Sequence, residues 1–262
     1  NRVNYCILRH IGQMRIVDVK PLHCQEVLNK QMGNSTYQIN QVNQALKFIF
    51  GKAVTEGIIL KNPAADLTKP KGHKHSRRAL TEAEQRSFYH VMDQDDRFLL
   101  YKFMLFCGCR TLEAVNIEGR DIQVVDGQRM LHIRGTKTAA ADRYTPIPDF
   151  FTIPDTDPFQ PVIKNRYGKK LTQENRKLAW KALKRAMNID MGCRVFRNAL
   201  VPPYPLADDL VPYCFRHTFC TNLCRQGVDI RKAQYLMGHS DIKMTANVYT
   251  HVAPEDILEV AK

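Results

Sequence analysis

Ile122-Gln-Val-Val-Asp-Gly-Gln-Arg-Met-Leu-His-Ile133 is the stretch at which this chain changes its hydrophobic period. Two short apolar runs, Ile122–Val125 and 130–133, flank Asp126-Gly127. That dipeptide accepts the positive φ angles of a two-residue hairpin turn, so the runs are expected to pair antiparallel. A third strand is expected over 143–147, which makes 121–148 a small antiparallel sheet. Around it the pattern is helical, and the fold class follows: mainly α, with one small sheet inside the larger of two domains.

Upstream, Thr81 followed by Glu84 forms a capping box that opens a helix. The helix expected from Phe98 to Cys107 is apolar on nearly every side, hence buried, and Gly108 ends it. Earlier still, Ser35 is an N-cap candidate, and Ile39, Val42, Leu46, Ile49 and Phe50 recur at helical spacing. The opposite face carries Gln38, Gln41, Gln44 and Lys47. Gly57 supplies a C-cap and Asn62-Pro63 closes the unit. Residues 1–65 therefore read as a small helical domain. Residues 66–78 read as a linker: Lys69-Pro-Lys-Gly-His-Lys-His-Ser-Arg-Arg78 has Pro, Gly and many basic residues but no acid, a composition unsuited to a core. The second domain spans 79–262. Downstream of the sheet, Trp180, Leu183 and Met187 line one helical face, and Phe215, Phe219, Leu223 and Cys224 another. The Pro-rich stretch 192–212 reads as a loop or insertion.

Charge narrows the function. Lys plus Arg number 39 against 26 Asp plus Glu, a formal +13 over 262 residues. Such an excess favours a polyanion, and counterion release from DNA would drive binding. No stretch is apolar for long enough to cross a membrane, so none is expected as a partner. The eight cysteines show no C-x-x-C pair and no zinc-ligand spacing, so free thiols are expected and no metal. The opening Asn1-Arg2-Val3-Asn4 lacks both the signal-peptide pattern and an initiator Met, as expected for a piece of a longer chain.

Several polar residues have no evident structural task. Arg110 and Glu113 lie in Gly108-Cys-Arg-Thr-Leu-Glu113; Lys137 lies in Gly135-Thr-Lys-Thr138, between two strands. Arg216 sits in Tyr213-Cys-Phe-Arg-His-Thr-Phe219, His239 in Leu236-Met-Gly-His-Ser-Asp241, and Tyr249 ends Thr245-Ala-Asn-Val-Tyr249. Each has a structural alternative. Arg110 can pair Glu113 on a helix surface, Lys137 can be a solvated turn residue, and His239 can cap a helix. Arg216 differs, because an Arg among apolar residues is costly to bury without an anion.

Taken in order, these residues resemble those of the tyrosine recombinases, the phage integrase family, in particular phage and conjugative-transposon integrases. That family carries an Arg in a G-x-R-x-x-E box, a Lys in a strand turn, an H-x-x-R box, a G-H box and then a Tyr. The resemblance covers nearly the whole chain, and it departs at Tyr213, where the family usually has His. A phenol can donate to a phosphate oxygen but is no base near neutral pH.

The resemblance implies a helical core-binding (SAM-like) domain at 1–65 and an α+β catalytic domain at 79–262. Tyr249 would be the nucleophile on a DNA phosphate. Arg110, Arg216, His239 and Tyr213 would hold the phosphate oxygens, Lys137 would be the general acid, and Glu113 would orient the set. The product would be a 3′-phosphotyrosine link with a free 5′ hydroxyl, formed without metal, ATP or other cofactor. Lys71, Lys74, Arg77 and Arg78 are the expected phosphate contacts of the linker, joined by Gln41 and Lys47 on the polar helix face. The implied partners are double-stranded recombination sites bound by a homo-tetramer on two DNA duplexes, with accessory DNA-bending or excision factors. The tail 253–262 resembles a C-terminal helix that docks on a neighbour. The implied setting is the bacterial cytoplasm, on the nucleoid when bound, in the service of a mobile genetic element. A type IB topoisomerase shares the chemistry, and a catalytically inactive DNA-binding protein is the non-enzyme alternative.

Overall fold

The computed structural model describes residues 3–73, 78–135 and 139–249. The chain divides into two compact units, Asn1–Ser76 and Arg77–Lys262.

In the first unit, after a short turn α1 (Arg9–Ile11), α2 (Pro21–Asn29) and α3 (Thr36–Thr55) carry the core. Pro at the start of α2 and Ser35 ahead of α3 set the helix entries: Ser35 Oγ accepts from Gln38 N at 3.3 Å, and Gln38 Oε1 answers Ser35 N at 3.0 Å. Ile39, Val42, Leu46 and Phe50 of α3 pack with Val27 and Leu28 of α2. Burying each such side chain contributes on the order of 1.5–3 kcal/mol. Gly57, at φ +71°, turns the chain out of the helix.

The stretch expected as a linker differs in its first half. Residues up to His73 lie along the helical unit: Thr68 exchanges two hydrogen bonds with Gln25 (2.9 and 2.8 Å), Lys69 Nζ reaches Asn40 Oδ1 (3.2 Å), and the His73 carbonyl accepts from Thr36 N (3.1 Å). The segment is polar and basic but not free, because the polar rims of α2 and α3 offer it partners.

The second unit begins at α4 (Glu82–Val91), where the Thr81–Glu84 capping box closes reciprocally at 3.2 and 2.8 Å. Next come α5 (Leu99–Phe106) and α6 (Thr111–Val115), then strands β1 (Ile122–Val125), β2 (Gln128–Ile133) and β3 (Arg143–Pro146). The sheet is antiparallel in the order β1-β2-β3, with Ile122 opposite Leu131 and Ile133 opposite Arg143. The long helix α7 (Gln173–Asp190) follows, then α8 (Tyr213–Arg225), α9 (Ile230–Met237) and α10 (Ile242–Tyr249). As its composition implies, α5 is buried almost throughout; even Lys102 is covered, paired with Asp93 at 2.5 Å. Phe88, Tyr101 and Phe215 join α4, α5 and α8, with ring centroids 4.8 Å (Phe88–Phe215) and 5.4 Å (Tyr101–Phe215) apart. None of the eight cysteines is in a disulfide.

The stretch 192–212 is not merely a loop. It contains a hairpin of β4 (Arg194–Phe196) and β5 (Ala199–Val201), turned by Arg197 and Asn198 at φ +45° and +63°. Its strands are three residues long and mostly exposed, so no apolar alternation marks them, and Arg-Asn is not the usual hairpin dipeptide.

Candidate active site

The end of α5 sets the site. Gly108 has φ +63°, and a Cβ there would lie 2.4 Å from the Phe219 ring, so glycine alone fits the turn. The turn buries Cys109 and delivers Arg110 as the N-cap of α6. Glu113 closes the cap, accepting the Arg110 backbone N–H at 2.8 Å and its Nη1 at 2.6 Å.

Two more arginines surround that carboxylate. Arg143, 1% exposed, donates through Nη2 to Glu113 Oε2 at 2.9 Å. Arg216 on α8, 0% exposed, has Nη1 3.9 Å from the same oxygen and donates to the Gly108 carbonyl. Burial alone would raise the Glu113 pKa. The Arg143 hydrogen bond and charge, followed by the bonds from Arg110, instead hold it down at about 2.

The C-terminus of α9 organises the same three side chains. Its last carbonyls are taken in succession: Leu236 by Arg143 Nε (2.8 Å), Met237 by Arg216 Nη2, and Gly238 by Arg110 Nη2 (2.9 Å). A helix C-terminus carries partial negative charge and unpaired carbonyls, so it accommodates cations where a neutral wall would not. Gly238 caps the helix in the left-handed conformation at φ +59°. Arg110 and Arg216 are thereby held on consecutive carbonyls. The Arg110 side chain keeps 37% of its surface open, whereas Arg216 shows none.

His239 follows directly and is 5% exposed. Its Nδ1 lies 2.9 Å from Thr245 Oγ1 on α10. Burial first, then the charges of Arg216, Arg110 and Arg143, push its pKa down to about 4, so the imidazole is neutral at neutral pH. Tyr213 opens α8 three residues before Arg216, and its phenol is felt by that guanidinium.

Tyr249 ends α10, and its hydroxyl donates to the Val228 carbonyl at 2.9 Å. Burial, followed by Cys224, Cys220 and Asp229, pushes its pKa up to about 12. The phenol is turned toward thiols and a carboxylate, not toward the arginines.

The structure thus brings Arg110, Glu113, Arg216 and His239 together, adds Arg143 and Thr245, and leaves the Tyr249 hydroxyl on the α8–α9 turn. Lys137, Lys74, Arg77 and the tail 253–262 lie outside the described residues. Lys71, Gln44 and Lys47 are exposed on the first unit, with Gln38 and Gln41 half-buried. Arg78 is engaged otherwise than expected: its guanidinium meets Glu84 at 2.6 and 2.8 Å and Asp209 at 2.8 Å, because the capping carboxylate and a loop acid converge on it.

The phage integrase family matches residues 78–256, the greater part of the chain. The chain belongs to that family. Among relatives of this integrase-family chain, tyrosine recombinase XerA of Pyrococcus furiosus is 30% identical over 235 residues, 88% of this chain and 75% of the relative. Tyrosine recombinase XerC of Pseudomonas fluorescens is 24% identical over 95% of this chain and 81% of its own length. Among solved structures, the Tn1549 transposon integrase in complex with circular intermediate DNA shares the integrase fold with a TM-score of 0.68 at 22% identity, covering 96% of this chain and 87% of that one. A lambda integrase dimer bound to a core site gives 0.62 at 16% identity, covering 94% and 85%.

Arg143 and Thr245 escaped the sequence reading as site residues. For Arg143 a signal existed: Arg143 and Thr145 of β3 and Ile147 just beyond it alternate as buried residues, and an Arg in phase with a core face has to meet an anion or carbonyls.

Proposed function

We propose that this integrase-family protein is a site-specific recombinase that cuts and rejoins DNA strands by transesterification at Tyr249. The observation that carries the reading is the convergence of Arg110 and Arg216 on one carboxylate and on consecutive carbonyls, beside a neutral His239 and one helix away from a tyrosine. A phosphodiester repels a nucleophile, and its pentavalent transition state carries more negative charge on the same oxygens. Fixed cations stabilise that state most.

Arg110 has open surface and offers the planar fork that suits a phosphate. Arg216 shows none, and its Nε–H has no hydrogen-bond partner among the described residues, so that donor is the one available to a phosphate oxygen while Nη1 and Nη2 keep the Gly108 and Met237 carbonyls. Neutral His239 and Tyr213 add hydrogen bonds. Lys137 is the general acid for the leaving 5′ oxygen. Glu113 holds Arg110 in aim. Because Tyr249 rests on Val228, its hydroxyl has to leave that carbonyl before it attacks. The product is a 3′-phosphotyrosine, and a second 5′ hydroxyl reverses the step with the bond energy retained.

The helical unit is the core-binding domain and 79–262 the catalytic domain. Lys71, Lys74, Arg77, Gln41 and Lys47 contact DNA; Arg78 does so only by releasing Glu84 or Asp209. The assembly is a homo-tetramer on two duplexes, helped by accessory bending or excision factors, which integrates and excises a mobile element in the bacterial cytoplasm. The Tn1549 likeness supports the mobile-element reading.

A suicide duplex nicked near the cleavage site tests this. Wild type is expected to form a covalent protein–DNA complex and Tyr249→Phe none. No complex with wild type, or one with Tyr249→Phe, overturns the reading.

A further inference from the structure

Thr245 lies one helical turn before Tyr249, is 0% exposed, and places its hydroxyl 2.9 Å from His239 Nδ1. That hydroxyl makes no other hydrogen bond among the described residues. The two groups form an isolated pair, so the proton between them has two possible arrangements.

A neutral imidazole has one N–H, on Nδ1 or on Nε2. With the proton on Nδ1, that nitrogen donates to Thr245, whose own O–H is then left with no acceptor in a buried place. Nε2 would then carry a bare lone pair, which repels a phosphate oxygen. With the proton on Nε2, the Thr245 hydroxyl donates to Nδ1 and every donor of the pair is used. Nε2–H is then free to donate to an anion. The second arrangement leaves no buried donor unmet, and the partner at one ring nitrogen fixes what the other does.

We propose that Thr245 is a positioning residue that holds His239 in its Nε2–H tautomer. The donor for the scissile phosphate is then set by the helix that carries the nucleophile, so the docking of α10 and the readiness of the anion site are one event. This rests on the recombinase reading for its catalytic consequence, but the tautomer stands or falls independently.

Two measurements on the DNA-free protein and on the nicked suicide duplex test it. Nitrogen NMR of the His239 ring should show Nε2–H in wild type and Thr245→Ser, and a mixed or Nδ1–H state in the near-isosteric Thr245→Val. Single-turnover formation of the covalent complex should fall about 10- to 100-fold in Thr245→Val, the loss typical of removing an orienting partner. DNA binding should be unchanged, and Thr245→Ser should restore cleavage. An Nδ1–H tautomer in wild type overturns the proposal without any variant being needed. So does a Thr245→Val protein that cleaves normally, or one that loses cleavage while its tautomer stays put. If wild type shows Nε2–H but forms no covalent complex, the recombinase reading fails while the tautomer assignment survives.

Discussion

Arg143 Nη2 lies 2.9 Å from Glu113 Oε2, and the same side chain holds the Leu236 carbonyl of α9 at 2.8 Å. One buried guanidinium therefore ties β3 to the capping carboxylate of α6 and to the end of the helix that precedes His239. Its effect on chemistry is indirect, because Glu113 in turn aims Arg110. Replacing Arg143 with Met removes the cation but leaves the carboxylate and several carbonyls buried. A loss of about 3–5 kcal/mol is expected, as for a broken buried ion pair. Urea unfolding measures it; a loss below about 1 kcal/mol would mean that solvent or Arg110 already satisfies Glu113.

Arg110 is the partly open member of the trio, so it separates chemistry from folding. Lysine keeps the charge but loses the paired planar donors. Arg110→Lys should fold and bind DNA nearly as wild type does, yet form covalent complex about 100- to 1,000-fold more slowly. Single-turnover rates and a DNA-affinity measurement decide it, and unchanged cleavage would remove Arg110 from the site.

The phenol of Tyr249 is a second handle. With its hydroxyl on the Val228 carbonyl and a pKa of about 12, the resting protein holds almost no phenolate at neutral pH. Spectroscopic titration of wild type against Tyr249→Phe should reveal one tyrosine titrating well above the ordinary value of about 10. A normal or depressed value would mean that the hydroxyl already faces the arginines.

How much of this was legible beforehand varies with the type of signal. Period, capping and turn chemistry located α3, α4, α5 and the three-stranded sheet, since Asp126-Gly127 and the Thr81–Glu84 box are local. The β4–β5 hairpin was not legible, because strands of three mostly exposed residues leave no pattern. At the site, motif order drew attention to Arg110, Glu113, Arg216, His239 and Tyr249. The carbonyls of Leu236, Met237 and Gly238 carry no sequence signal at all, since any residue supplies a carbonyl. Only the fold brings that helix end to three arginines. The resting partner of Tyr249 was hidden for the same reason.

His239 makes stability depend on acid. Its folded-state pKa of about 4 lies below the ordinary 6.5, so the unfolded chain takes up the proton first. Its contribution is complete above about pH 6.5 and is lost as pH falls toward 4, with an upper bound of about 3 kcal/mol at 1.36 kcal/mol per unit. Glu113, held at about 2, adds a further loss only below its ordinary 4.5. Melting temperature should therefore drop between pH 6.5 and 4.5 in wild type and much less in His239→Gln. Parallel curves would show that the imidazole is not buried among the guanidiniums.

Gly238 tests whether the helix end sets the arginines. A Cβ there would meet Arg143 Nη1 at 2.7 Å and the Ala140 carbonyl at 3.0 Å, and the backbone is left-handed at φ +59°. Gly227 is the control, because it has φ +69° but nothing within 4 Å of its would-be Cβ. Alanine at either position incurs the left-handed strain, about 1–2 kcal/mol. Only at Gly238 does the methyl also push on Arg143 and shift the carbonyls that hold Arg110 and Arg216. Gly227→Ala should thus lose stability alone, while Gly238→Ala should lose more stability and also covalent-complex formation at temperatures where it remains folded. Equal losses in the two variants would show that backbone strain is the whole effect and that the guanidiniums do not depend on the end of α9.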